Sequence, residues 1–210
     1  MPCYPPAHAA LQQLFVIVAW SVALLVPLPL AAAEPVLEPI FNGRDLTGWK
    51  PAAEPFWRVV DGVLVGENDA EKKGSMLYTE RDYGDVVVEC EVRFTGEIDS
   101  GIMVRKPELQ LQIGVSRSLK RDMTGSFYVG SYPEQGQAKR APELLKPDDW
   151  NRIRLEARGE TFTVWLNGEQ VVRYTDAKYA AAGPIGLQIH GGLEMKVEFR
   201  DLRAAALEPR

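Results

Sequence analysis

Residues 107–115 read PELQLQIGV. In an extended chain this alternation puts Gln110 and Gln112 on one side and Leu109, Leu111 and Ile113 on the other. A strand with one apolar face asks only for solubility on its other side, and Thr, Lys or Glu would supply that as well. Carrying the same parity through neighbouring segments adds Arg105, Gln188 and His190 to the outward set, with the aromatic rings of Tyr128 and Trp49 nearby. Amides and a guanidinium bond hydroxyls in fixed geometry, and rings stack on C–H faces, which is the chemistry of sugar recognition. His190 adds the one side chain after residue 33 whose ordinary pKa suits proton transfer near neutrality. Each residue also admits a plainer role: Arg105 pairing with a carboxylate, His190 closing a turn beside Gly191 and Gly192, and the glutamines facing solvent. What decides between the two readings is whether these residues share one sheet face.

The elements that must position them follow a strand period. Val86, Val88, Cys90, Val92 and Phe94 alternate with Glu89, Glu91 and Arg93. The same period recurs at Ile102 and Val104, Ile153 and Leu155, Phe162, Val164 and Leu166, and Ile185, Leu187 and Ile189. Cys90 on such a face reads as a small buried hydrophobe. Turn signals fall between the runs at Asp61-Gly62, Thr95-Gly96, Asn167-Gly168 and Gly183-Pro184, and Asn-Gly between two such runs predicts a two-residue hairpin. No helical period exceeds a turn or two, so the pattern predicts an all-β, antiparallel β-sandwich. The stretch from Gly114 to Pro147 is long and polar, with one short extended piece around Phe127–Val129. Long loops on a rigid sheet carry specificity.

The ends and the composition bound the function. The first 33 residues hold no Lys, Arg, Asp or Glu, run apolar from Leu14 to Leu30, and close on Ala31, Ala32 and Ala33. This predicts an export signal, residues 1–33, cleaved before Glu34, with an uncleaved membrane anchor as the competing reading. A single domain, 34–210, remains, placed outside the cytoplasm in the periplasm or beyond, with no stable membrane insertion once the signal is removed. It keeps Cys90 as its one cysteine, which excludes an intrachain disulfide. A formal charge of −5 with mixed signs gives no basic stripe for nucleic acid. Histidine and cysteine are too few for a metal site of that kind, and Glu67, Asp69 and Glu71 read as a solvated turn rather than a cation loop. No phosphate loop, dinucleotide fingerprint or Gly-x-Ser-x-Gly elbow is present, so no cofactor is expected.

Several stretches together carry a resemblance: FNGRDLTGW, FWRVVDGVLVGE, DSGIMVR, TGSFY, DDWNRIRL, VWLNGEQV, GPIGLQIHGG and VEFRDLR, in that order. They resemble the secreted 3-keto-disaccharide hydrolase domain family over Pro39 to Leu207. The resemblance implies a jelly roll similar to the concanavalin A-like lectins and glucanases, and a substrate already oxidised to a ketone at carbon 3. Such a ketone acidifies the hydrogen on carbon 2, so elimination of the glycosidic oxygen followed by addition of water needs a base, a positive group over the enolate and an acid. His190 suits the first task, Arg105 the second, and Asp99 or Glu67 the third. Gln110, Gln112, Gln188, Tyr128 and Trp49 would bind the sugar. The family strand usually reads Gly-x-Glu-x-Gln-Ile-x-Asp, so Gln110 stands in place of a Glu and Val115 in place of an Asp, while Asp99 replaces a usual Asn. An amide cannot transfer a proton as a carboxylate does. A two-carboxylate hydrolysis of ordinary glycosides is therefore disfavoured, and a non-catalytic carbohydrate-binding module is the alternative. A structural domain of a surface assembly is the third reading, tied to the anchor.

Overall fold

The computed structural model describes residues 1–3, 34–50 and 56–208. The expected export signal thus lies almost wholly outside the described residues. Among them the strands are β1 (Glu38–Pro39), β2 (Trp49–Lys50), β3 (Trp57–Val60), β4 (Val63–Glu67), β5 (Ser75–Tyr83), β6 (Val86–Phe94), β7 (Asp99–Val104) and β8 (Leu109–Ser116). They continue with β9 (Arg121–Asp122), β10 (Phe127–Tyr128), β11 (Asn151–Arg158), β12 (Thr161–Leu166), β13 (Glu169–Thr175), β14 (Gly183–Ile189) and β15 (Lys196–Ala206). One sheet runs β13-β12-β11-β6-β15-β4-β3, with β1 beside β15; the other runs β10-β8-β7-β14-β5-β2, with β9 beside β8. Every pairing is antiparallel. Among the described residues no helix is long and apolar enough to cross a membrane.

The two-residue period explains the layers. Val86, Val88, Cys90 and Val92 of β6 and Leu109, Leu111 and Ile113 of β8 belong to one continuous core with Leu187 of β14 and Phe162 of β12. Each fully buried Leu, Ile or Phe contributes on the order of 2 kcal/mol, so residues of this parity hold the sandwich closed. Cys90 sits in that core, and burial pushes its thiol up to about 12, so it packs as an apolar group. The predicted hairpin forms between β12 and β13, where Leu166 pairs with Glu169. Its two turn residues, Asn167 and Gly168, have φ of 52° and 91°, the left-handed values such a turn requires.

Register fixes what the outer face of the second sheet presents. Gly101 of β7 stands between Gln112 of β8 and Gln188 of β14. In the next row, Gln110 pairs with Tyr128 on one side and Met103 on the other. Neighbouring strands lie about 4.8 Å apart, so these residues from four strands form one compact patch.

Candidate functional site

A groove of about 310 Å³ opens on this patch, with Asp99, Gln110, Gln112, Tyr128, Gln188 and His190 along its wall. Strand parity places the first three and Gln188: Asp99, Gly101 and Met103 of β7 face outward together, while Ile102 and Val104 are buried. Gly101 is what lets the amides meet. A Cβ there would stand 3.0 Å from Gln110 Cγ and 2.9 Å from the Leu111 carbonyl, so only a glycine leaves Gln110 room to lie along the sheet.

The amides form an ordered row. Gln112 Nε2 donates to Asp99 Oδ1 at 2.9 Å, and Gln110 Nε2 donates to Gln112 Oε1 at 2.8 Å and to Gln188 Oε1 at 3.2 Å. A carboxylate only accepts, so Asp99 dictates which end of Gln112 faces it, and Gln112 in turn orients Gln110. Both N–H groups of Gln110 are thereby used. Its Oε1 remains to accept from a ligand, and Gln188 Nε2 remains to donate.

His190 follows the last residue of β14 and is fixed by its backbone. Its N–H donates to the Asp99 carbonyl at 3.1 Å, and its carbonyl accepts from Asn68 Nδ2 at 3.0 Å. The ring Nδ1 lies 2.8 Å from the Gly191 carbonyl. A carbonyl cannot donate, so Nδ1 carries the proton in the neutral ring and Nε2 holds the free lone pair. That is the tautomer of a general base. Arg117 donates from Nη1 to the same Gly191 carbonyl at 2.7 Å.

Ser116 at the end of β8, Arg117 and Ser118 in the turn after it, and Tyr132 beyond β10 complete the groove. The rings of Tyr128 and Tyr132 lie 5.1 Å apart at 54°, an aromatic corner suited to the C–H face of a sugar. Burial first, and then the negative charge of Asp99, raise the pKa of Tyr132 against a hydrogen bond from Ser116, so it stays a neutral O–H donor at physiological pH.

Three expected members are not at the groove. Arg105 follows β7, and its φ of 73° turns the side chain out of strand parity. The guanidinium instead enters the sandwich: Nη2 donates to Asp85 Oδ1 at 2.9 Å and to the Gly159 carbonyl at 3.2 Å, and Nη1 to the Ala180 carbonyl at 3.3 Å. With its carbon 5.8 Å from the Phe162 ring centre and only 2% of the residue exposed, Arg105 is a structural ion pair rather than a group over an enolate. Trp49 is buried to 1%, and its indole N–H is satisfied by the Ile40 carbonyl at 2.7 Å, so it packs the core at the edge of the sheet. Glu67 lies on β4 of the other sheet and pairs with Arg58.

Comparison with protein families decides the relationship. A family model described as a 3-keto-alpha-glucoside-1,2-lyase-like domain matches residues 37–205, most of the chain. The chain belongs to that family. No curated protein matches it. Among solved structures it is similar to a provisionally named glycosyl hydrolase from Parabacteroides distasonis ATCC 8503, at 19% identity and a TM-score of 0.65 over 82% of this chain and 100% of that one. It is also similar to a prokaryotic β-1,3-1,4-glucanase (lichenase) from a mouse hindgut metagenome, at 16% identity and a TM-score of 0.52 over 72% and 83%. The carbohydrate-binding module CBM66 from Bacillus subtilis shares 14% identity and a TM-score of 0.51 over 77% and 98%. These likenesses establish the fold, an antiparallel jelly roll of the lectin and glucanase type.

Within this family member, Arg117 supplies the guanidinium that strand parity assigns to Arg105. Ser116 shares the even parity of Gln110 and Gln112 and was readable by extending β8 three residues beyond Ile113. Arg117, Ser118 and Tyr132 lie in irregular backbone, where no period points at them. The pair of aromatics four residues apart, Tyr128 and Tyr132, was the available signal in that loop.

Proposed function

We propose that the groove binds the oxidised ring of a 3-keto-glycoside and breaks its glycosidic bond by elimination. His190 Nε2 takes the proton from carbon 2, and the electron pair of that C–H bond moves into a carbon 2–carbon 3 double bond as the ketone oxygen becomes an enolate; collapse of the enolate restores the ketone, forms the carbon 1–carbon 2 double bond and expels the glycosidic oxygen with the electrons of the carbon 1–oxygen bond. Arg117 stands as the positive group beside the enolate oxygen, and Tyr132 or the newly formed imidazolium returns a proton to the leaving oxygen. Water then adds across the double bond. Gln188 Nε2 offers donors to ring oxygens, and Gln110 Oε1 accepts from a hydroxyl.

One observation carries this reading: the ring tautomer of His190, fixed by the Gly191 carbonyl, leaves a basic nitrogen at a groove that also holds a guanidinium. Membership of the lyase-like family supports it. Asp99 is the one carboxylate among the described residues lining the groove, so a paired-carboxylate hydrolysis lacks its second member. A non-catalytic sugar-binding domain is the second reading, favoured by the amide at Gln110 and by the shared fold of CBM66. Incubation of the pure protein with 3-keto-trehalose or a 3-keto-glucoside decides between them. Release of glucose or aglycone well above the spontaneous rate is expected, whereas tight binding without release would leave only the binding domain.

We further propose export, with the working chain beginning near Glu34, on the basis of the uncharged apolar segment and Ala31–Ala33. Mass spectrometry of protein recovered outside the cytoplasm should find that terminus. Membrane-bound material with an intact Met1 would favour an anchor instead.

A further inference from the structure

Next to the groove is a second cavity of about 470 Å³, and Asp99, Ser116 and Arg117 line both. The second cavity has half-buried apolar side chains, Val115 and Leu193, and exposed charged ones, Glu97 and Lys120. Arg117, an exposed side chain, stands at the junction. Its Nη1 bonds the Gly191 carbonyl at 2.7 Å, and a Cβ on Gly192, whose φ is +85°, would come within 2.7 Å of that same nitrogen.

We propose that this second cavity is the leaving-group subsite: it receives the second sugar ring of a 3-keto-disaccharide while the groove holds the oxidised ring. The proposal rests on the function assigned to the groove, since it locates the other half of the same substrate. A hexopyranose has an apolar C–H face and a hydroxyl edge, and the cavity offers both counterparts, Val115 and Leu193 for the face and Lys120 and Glu97 for the edge. The residues shared by the two cavities then flank the glycosidic oxygen. Arg117 at this junction then stands between the oxidised ring and the leaving ring.

Two ligands test the subsite, because they share the oxidised ring and differ only in what leaves: 3-keto-trehalose and methyl 3-keto-α-glucoside. In the His190→Ala protein, where substrate persists, calorimetry should find the disaccharide bound roughly 10-fold more tightly. Adding Leu193→Ala or Lys120→Ala should weaken disaccharide binding by roughly 2- to 10-fold each, the scale of one lost contact, and leave the methyl glycoside within twofold. Equal affinity for the two ligands, or an equal loss on both, overturns the subsite. Failure of the assigned chemistry reads differently: the otherwise unaltered protein would release nothing from either ligand, while the selective loss of disaccharide affinity persisted.

Discussion

The ion pair that Arg105 makes inside the sandwich gives a quantitative expectation. Its side chain is 1% exposed and that of Asp85 17%, and Asp85 Oδ1 also accepts from the Gly159 N–H at 2.7 Å. Asp85→Ala leaves a guanidinium in the interior with only two carbonyls, and breaking a buried pair from one side costs about 3–5 kcal/mol. Partial solvent access to the Asp85 side favours the lower end, about 3 kcal/mol, or a fall in Tm of roughly 6–12 °C for a domain of this size. Arg105→Met keeps the apolar stem and leaves the carboxylate near water, so its loss should be smaller. The pH dependence has a definite sign. Burial pushes the Asp85 carboxyl up, but the bonds from Arg105 and Gly159 and the charges of Arg105 and Arg158 outweigh it and hold the group below its usual 3.8. Its contribution is therefore present above that value and is lost as pH falls through the lower folded value, so part of the acid unfolding limb should vanish in Asp85→Ala. Urea titrations followed by circular dichroism at pH 7 and pH 3 measure both effects. An Arg105→Met protein with full stability and no turnover of a 3-keto-glucoside would refute the structural assignment and return Arg105 to the chemistry.

Other outcomes follow from the groove. His190→Ala should cut release from 3-keto-glucosides by roughly 100-fold, the scale of a positioned proton-transfer group, and steady-state kinetics with full activity in that variant would remove His190 as the base. Gln110→Ala should weaken ligand binding by about 0.5–1.5 kcal/mol in calorimetry with the chemical step nearly unchanged. Gln110→Glu sets a third acceptor against Gln112 Oε1 and Gln188 Oε1, so chemical denaturation should show a loss of about 1–3 kcal/mol and assays no gain in rate; a gain of tenfold or more would show that a carboxylate there is catalytic. Gly101→Val should drive Gln110 off the sheet and abolish ligand binding in a protein that still folds, as circular dichroism would report.

What the sequence made legible was whatever a two-residue period governs. The outward parity of Gln110, Gln112 and Gln188 held because Leu109, Leu111, Ile113 and Leu187 cannot leave the core without a large loss of apolar burial. Parity failed one residue past a strand end, at Arg105, because a single left-handed residue reverses the direction of its side chain. It also carried no information about strand order, so Glu67 was assigned to a site built on the opposite sheet. Trp49 misled for a different reason: an indole serves a sugar platform and a core equally well, and the two are told apart only by whether its N–H has an internal partner. Arg117 and Tyr132 are set by loop backbone, which no period encodes.

The row of amides between Asp99 and Gln110 does more than hold side chains still. Its dipoles all point the same way, with the negative end of each facing away from the buried carboxylate, because Asp99 pins the first member. Hydrogen-bonded groups in such a line polarise one another, by about 10–30% per bond. The charge of Asp99 is therefore felt beyond Gln112 as a strengthened carbonyl at Gln110, although Gln110 itself is neutral. The amide borrows the attraction of an anion for hydroxyl protons without the ability to remove them. On the proposed function, a ligand meeting that oxygen is held by its O–H groups, which leaves its own carbonyl to the donors of Gln188 and Arg117.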